Sequence, residues 1–212
     1  VTKNGVSISK IVEIGSRIDS TFKGEGYIKV SKDGTKFAVA IPGGKRNLVE
    51  LYDFADSSGK ISNKRIIDLG PAPPTVYGIE FSPDSKTLFA TMKADTVKKP
   101  GSYSTLLRFD ITDKDSLVIA KSKITLDSSK KEYYGAIQLA PDGKIYIAVQ
   151  GSSTLGVIKL PNDTISIKSL TKDYYERKGF NLSGKTSQLG LPTTYNVNES
   201  KSEGVGITAG DT

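Results

Sequence analysis

The chain has 212 residues, 36% of them hydrophobic, enough to bury a core without covalent staples. It contains no Cys and no His, which excludes disulfides, thiolate metal sites, Cys nucleophiles and His-based catalysis or metal binding. The net charge of +7 comes mostly from isolated lysines, with short clusters only at Lys45-Arg46, Lys98-Lys99 and Lys130-Lys131. That distribution fits a solvated basic surface, open at most to weak attraction for an acidic polysaccharide, and lacks the contiguous stripe a nucleic-acid partner needs.

No apolar run approaches the ~20 residues of a membrane span, the longest stretches being Phe37 to Ile41 and Ile145 to Val149, so no membrane insertion is expected. The chain begins without Met or a leader, which reads as a segment of a longer protein.

In chain order, a strand is expected at Ser7 to Ile14, followed by the first of three internal repeats. Copy one runs from Gly26 to Ala40, copy two from Tyr77 to Thr91 and copy three from Tyr134 to Ala148. Each alternates with period two, breaks at a turn and alternates again, the pattern of an antiparallel hairpin. The turns fall at Lys32-Asp33-Gly34, Pro83-Asp84-Ser85 and Pro141-Asp142-Gly143, where Pro presets φ, Asp caps through its side chain and Gly supplies a positive φ. Copy one lacks the Pro and copy two the Gly.

A second strand pair is expected after each hairpin: Leu48 to Phe54 with Lys64 to Leu69, Thr105 to Ile111 with Leu117 to Leu126, and Thr154 to Leu160 with Ile165 to Leu170. Helix is confined to a turn or two at Lys172 to Lys178, and a last strand is expected at about Leu189 to Val197. Alternating apolar positions Val39, Ile79, Phe81, Leu88, Ile137, Leu139, Ile145 and Ile147 are expected in layers between repeats.

The turn aspartates lie 51 and 58 residues apart, which suits a unit of four short strands. The fold expected is therefore all-β, a β-propeller with four-stranded antiparallel blades. Residues 1–212 form one segment, with blades at about 26–70, 76–127 and 133–171 and partial-blade strands at 7–14 and 189–197. The two terminal strands cannot complete a closed ring, so the chain is expected to be an arc of a larger one, with further blades of the same or another chain as partners.

Two stretches, Tyr77-Gly78-Ile79-Glu80-Phe81-Ser82-Pro83-Asp84-Ser85-Lys86 and Gln138-Leu139-Ala140-Pro141-Asp142-Gly143-Lys144-Ile145-Tyr146-Ile147-Ala148, resemble WD-repeat-like blades of large exported bacterial surface proteins. Such proteins often carry type IX secretion or gliding-motility-associated C-terminal domains. Gln188-Leu189-Gly190-Leu191-Pro192-Thr193 resembles the Gly-Leu-Pro-Asn-Phe element of the same propellers, with Thr193 and Thr194 in place of Asn and Phe. The resemblance covers about residues 23–195 and implies an extracellular or cell-surface location.

Candidate chemistry is sparse. Tyr27, Tyr77 and Tyr134 recur at the entrance to the first strand of each copy; packing between blades is the commoner reason for such recurrence, while a ligand on the axis would find in them a rigid amphipathic platform. Arg108 and Tyr146 are further candidates for the same ligand. Asp33, Asp84 and Asp142 are read as turn formers rather than a catalytic carboxylate pair. Asp110, Asp113 and Asp115 share one loop but lack the Gly and terminal Glu of an EF-hand, so an ordinary acidic loop is expected.

Asp19-Ser20-Thr21, Asp95-Thr96-Val97, Asp115-Ser116-Leu117 and Asp163-Thr164-Ile165 match the Asp-Ser/Thr-apolar pattern at which the resembled lineage attaches O-glycans. No catalytic residue, cofactor or metal is expected. The leading function is a non-catalytic binding or adhesion scaffold that recognises a protein or glycan at the cell surface through propeller loops or the channel mouth. The alternative is a structural spacer or partner subunit of a bacterial envelope secretion or motility assembly. A lactonase-type enzyme ranks third, because propeller enzymes place His or metal-binding carboxylates at the channel.

Overall fold

The computed structural model describes residues 13–16, 26–43, 45–164 and 173–192. Three turns set its architecture. In the first two, the Ser two residues before the turn Asp donates its hydroxyl to the carboxylate at 2.6 Å, at Ser31–Asp33 and at Ser82–Asp84. The same carboxylates accept the amides of Thr35 at 3.0 Å and Lys86 at 3.2 Å, and in the third turn Asp142 accepts that of Lys144 at 3.1 Å. Gly34 and Gly143 take φ of 68° and 78°. Ser85 takes the same left-handed backbone at 60°, and its buried hydroxyl accepts the Asp33 amide at 3.4 Å. One strained serine thus links two successive turns.

Each turn opens an antiparallel sheet of four strands in sequence order. The first is β1 (Ile28–Val30), β2 (Lys36–Ile41), β3 (Arg46–Ala55) and β4 (Lys60–Pro71). The second is β5 (Thr75–Phe81), β6 (Thr87–Lys93), β7 (Ser104–Asp110) and β8 (Ile124–Ser129), and the third is β9 (Tyr134–Leu139), β10 (Ile145–Val149), β11 (Thr154–Ile158) and β12 (Tyr175–Asn181). With successive sheets packed face to face and their first strands side by side, the described residues form an all-β propeller arc of three blades.

The differences from expectation lie in the outer strands. Leu117 to Lys121 belong to a helix, α1 (Ser116–Lys121), and only the chain beyond it forms β8. Asp115 caps α1 by accepting the Leu117 amide at 2.7 Å, which commits the backbone to a helical turn before the strand can begin. In the third blade the fourth strand is β12, ending ten residues past the expected boundary, and 175–178 is strand rather than helical turn. The expected strand Ile165 to Leu170 lies outside the described residues. So does most of the strand at Ser7 to Ile14, whose described end is irregular. Of the strand at Leu189 to Val197, residues 189–192 are irregular and the rest lies outside.

Two apolar layers fill the spaces between blades. Between the first and second, Ala38, Val49, Leu51 and Ile67 meet Val76, Ile79, Phe81, Leu88 and Phe109. Between the second and third, Phe89, Leu106 and Leu126 meet Tyr134, Ile137, Leu139, Ile145 and Ile147. Val39 is absent from both: it is half-buried and pairs with Ile28 on the face of the first blade turned away from the second. The inner strands approach closely. A Cβ on Gly78 would lie 3.0 Å from the Gly135 carbonyl, and Thr91 bridges the pair by accepting the Gly78 amide at 2.9 Å and donating to that carbonyl at 2.6 Å.

Candidate functional site

The inner strands carry one polar position in common, four residues before each turn Asp: Lys29 on β1, Glu80 on β5 and Gln138 on β9. The structure brings all three together. Lys29 Nζ donates to Glu80 Oε2 at 2.7 Å and to Gln138 Oε1 at 2.7 Å. Glu80 also accepts the Leu139 amide at 3.0 Å and the Phe81 amide at 3.0 Å, while the Gln138 amide group donates to the Leu139 carbonyl at 3.0 Å. The Lys29 and Glu80 side chains are only 15% and 6% exposed. Charges withdrawn that far from water persist only when paired and hydrogen-bonded, and here the Lys29 ammonium has both a carboxylate and an amide oxygen as partners.

Beside it, the Tyr27 and Tyr77 rings lie 5.8 Å apart, tilted by 50°. Lys29 stands 5.8 Å from the centre of the Tyr27 ring and Lys93 5.1 Å from that of Tyr77, within cation–π range. Burial, then the neighbouring Tyr77, pushes the Tyr27 phenol above its ordinary pKa. Both rings are half-buried. The result is a small aromatic shelf with two ammonium groups at one end of the inner strands.

Tyr134 does not join them. It sits one residue further from its turn Asp than Tyr77 does, and one residue reverses the face of a strand. Its pairing partner is Val149, as Met92 is the partner of Val76, so it takes the buried place of Val76. Fully buried, its hydroxyl donates to Asp127 at 2.8 Å.

Arg108 is likewise internal, at 5% exposed, donating to Thr87 Oγ1 at 3.2 Å and the Asp163 carbonyl at 3.4 Å. Its Nε and the buried Tyr174 hydroxyl make no hydrogen bond of normal geometry. Tyr146 lies on the open face of the third blade, its hydroxyl 2.9 Å from Asp142 and its ring edge-on to Phe180 at 5.6 Å. The five candidates therefore separate into one pair and three unconnected residues.

The acidic loop spends its carboxylates locally. Asp110 accepts the Thr112 amide and hydroxyl at 2.9 and 2.7 Å, Asp113 the Asp115 amide at 2.8 Å, and Asp115 caps α1. Burial opposes charge on Asp110, but the Thr112 bonds outweigh it and hold the carboxyl below its ordinary value. Of the expected glycan sites, Asp19-Ser20-Thr21 and Ile165 lie outside the described residues. Thr96 sits in a loop beside Val97, which is 92% exposed, and Ser116 uses its hydroxyl to accept the Ile66 amide at 3.1 Å.

A feature absent from the sequence reading joins the outer strands of the second and third blades. Arg177 on β12 grips Asp127 on β8 through Nε at 2.7 Å and through Nη2, and donates to the Ser128 carbonyl at 3.0 Å. Burial works against the Asp127 charge, yet the bonds from Arg177 and Tyr134 keep its carboxyl below the usual range. The Tyr175 hydroxyl is buried beside the same carboxylate without reaching hydrogen-bonding geometry, and burial drives its pKa upward. Asp127, Tyr175 and Arg177 border a hollow of about 400 Å³.

No family model and no curated protein matches the chain. Among solved structures, a protein from Lactobacillus plantarum is similar at 22% identity over 62% of this chain and 36% of its own length, with a TM-score of 0.39. A structure from a study of two prolyl endopeptidases is similar at 17% identity over 84% of this chain and 23% of its own, with a TM-score of 0.44. The chain spans well under half of either structure. Both likenesses are remote and say nothing about activity.

Proposed function

We propose that this chain is a non-catalytic binding scaffold, with the Tyr27–Tyr77 shelf as its recognition element for a protein or glycan. The observation that carries the reading is the pairing of two half-buried rings 5.8 Å apart, each beside an ammonium group. Tyrosine offers apolar area and a polar tip at low entropic cost, and the strands beneath are held by the Lys29 cluster, so the shelf is pre-organised. A non-enzymatic role is supported by the lack of His and Cys and by the local bonding of the turn and loop carboxylates. An exported bacterial surface protein of the type IX or gliding-motility kind is the setting that the sequence resemblance favours.

The test is a glycan and peptide array probed with the wild type and Tyr77→Ala. Selective binding that disappears in a variant that melts like the wild type supports the shelf. An unchanged array profile, or turnover of ester or lactone substrates by the wild type, overturns the reading. A second reading, an assembly element continued by further blades, is favoured by a separate observation: the first blade's outer face leaves Ile28 62% and Val30 46% exposed.

A further inference from the structure

At the opposite end of the inner strands, two hollows of about 440 and about 380 Å³ run along the seam between the first and second blades. They share Asp53, Arg65 and Lys114 and so form one elongated groove. Lys64 borders the first hollow, and Lys36 and Lys86 border the second. Five cationic side chains thus face a single carboxylate.

The pairing within the groove leaves Lys86 and Lys114 as its unneutralised charges. Arg65 bonds to Asp53 Oδ1, which offsets the one negative charge, and Asn63 donates to Asp53 Oδ2 at 2.7 Å. Lys64 is ion-paired with Glu50 at 3.4 Å, and Lys36 reaches the Thr35 hydroxyl at 3.3 Å with the Asp33 carboxylate as its electrostatic neighbour. The ammonium groups of Lys86 and Lys114 have no hydrogen-bond or ion-pair partner among the described residues. Self-repelling charges collected in a recess raise the local potential and favour a polyanion over a single small ion.

We infer that this groove binds an acidic polysaccharide, a sugar chain carrying carboxylate or sulfate groups at intervals. The lining supports a sugar over a nucleic acid on two counts. It contains no aromatic side chain on which a base could stack. Asp53, whose side chain is 42% exposed, and the amide of Asn63 interrupt the lysines with groups suited to sugar hydroxyls, where a continuous row of phosphates would meet a carboxylate. The groove is distinct from the tyrosine shelf, so either can fail without the other.

The experiment measures binding of a fluorescent galacturonate hexamer to the whole chain. Wild type should bind it, should ignore maltohexaose, and should weaken as salt rises from 50 mM toward about 500 mM. Lys86→Gln/Lys114→Gln, at exposed positions with no partner to lose, should melt like the wild type and bind at least about tenfold more weakly, a change of about 1.4 kcal/mol. Lys130→Gln/Lys131→Gln removes the same charge elsewhere and should bind normally. Equal loss in both double variants, no preference over maltohexaose, or tighter binding of an oligothymidylate through the same lysines would each overturn the assignment.

Discussion

Ile28 and Ile79 occupy the same place in successive repeats, five residues before the turn Asp, yet Ile28 is 62% exposed and Ile79 is fully buried. Two positions later, Val30 is 46% exposed and Phe81 1%. The repeats write the same apolar face into each blade, and only the presence of a preceding blade decides whether that face becomes core. The second blade has neighbours on both sides. Its β6 accordingly reads Thr-Leu-Phe-Ala-Thr-Met-Lys with six consecutive buried residues, whereas β2 of the first blade buries only Ala38, Ala40 and Ile41.

The largest effect that separates the two blades should come from truncating this shared position. Ile79→Ala should cost about 2–5 kcal/mol, and Ile28→Ala within about 0.5 kcal/mol of nothing, by denaturant unfolding. Equal losses would mean that the first blade's face is covered in solution.

A smaller effect should appear on the far side of the third blade, where the chain returns over its inner strand. Leu189 accepts the Ala136 amide at 2.6 Å, and a Cβ on Gly135 would stand 2.8 Å from Leu189 Cα. Gly135→Ala should therefore cost about 1–3 kcal/mol through overpacking and should speed protease cleavage near Leu189. Cleavage at the wild-type rate would show that this cover is not held by the close approach.

The smallest effect concerns the seam held by Asp127. Its carboxyl is depressed in the folded state relative to the ordinary 3.8, so the stability it contributes is present above that pH and fades as pH falls through the folded value. Asp127→Asn should be less stable than wild type at neutral pH, with the gap narrowing in melts taken progressively below pH 3.8. A gap independent of pH would assign the loss to packing instead.

The hairpins were legible because their causes are local: the carboxylates of Asp33, Asp84 and Asp142 each accept the amide two residues on. The outer strands were not. β12 reads Tyr-Glu-Arg-Lys-Gly-Phe-Asn and is mostly exposed, so it carries no alternation to find. The start of α1 had a readable signal in Asp115 as a cap, but six residues are too few for helical periodicity. Alignment on the turn Asp places Lys29, Glu80 and Gln138 in one column, and a polar column inside an apolar alternation was the available sign of an axial cluster. The tyrosines misled because the motif Tyr-Gly is followed by Ile79 in one copy and by Ala136 in another, a one-residue offset that sends Tyr134 into the core. The basic groove draws on lysines scattered from 36 to 114, and only folding makes them neighbours.

Lys29 also changes how the arc should come apart. In a linear array each unit touches only the next, and such arrays can fray one repeat at a time from either end. Lys29 reaches beyond its neighbour, bonding to Glu80 in the second blade and Gln138 in the third. Releasing either end blade therefore strands a buried partner in the others, so losing the first blade leaves Glu80 without its cation. Next-nearest coupling of this kind turns gradual fraying into a single cooperative step.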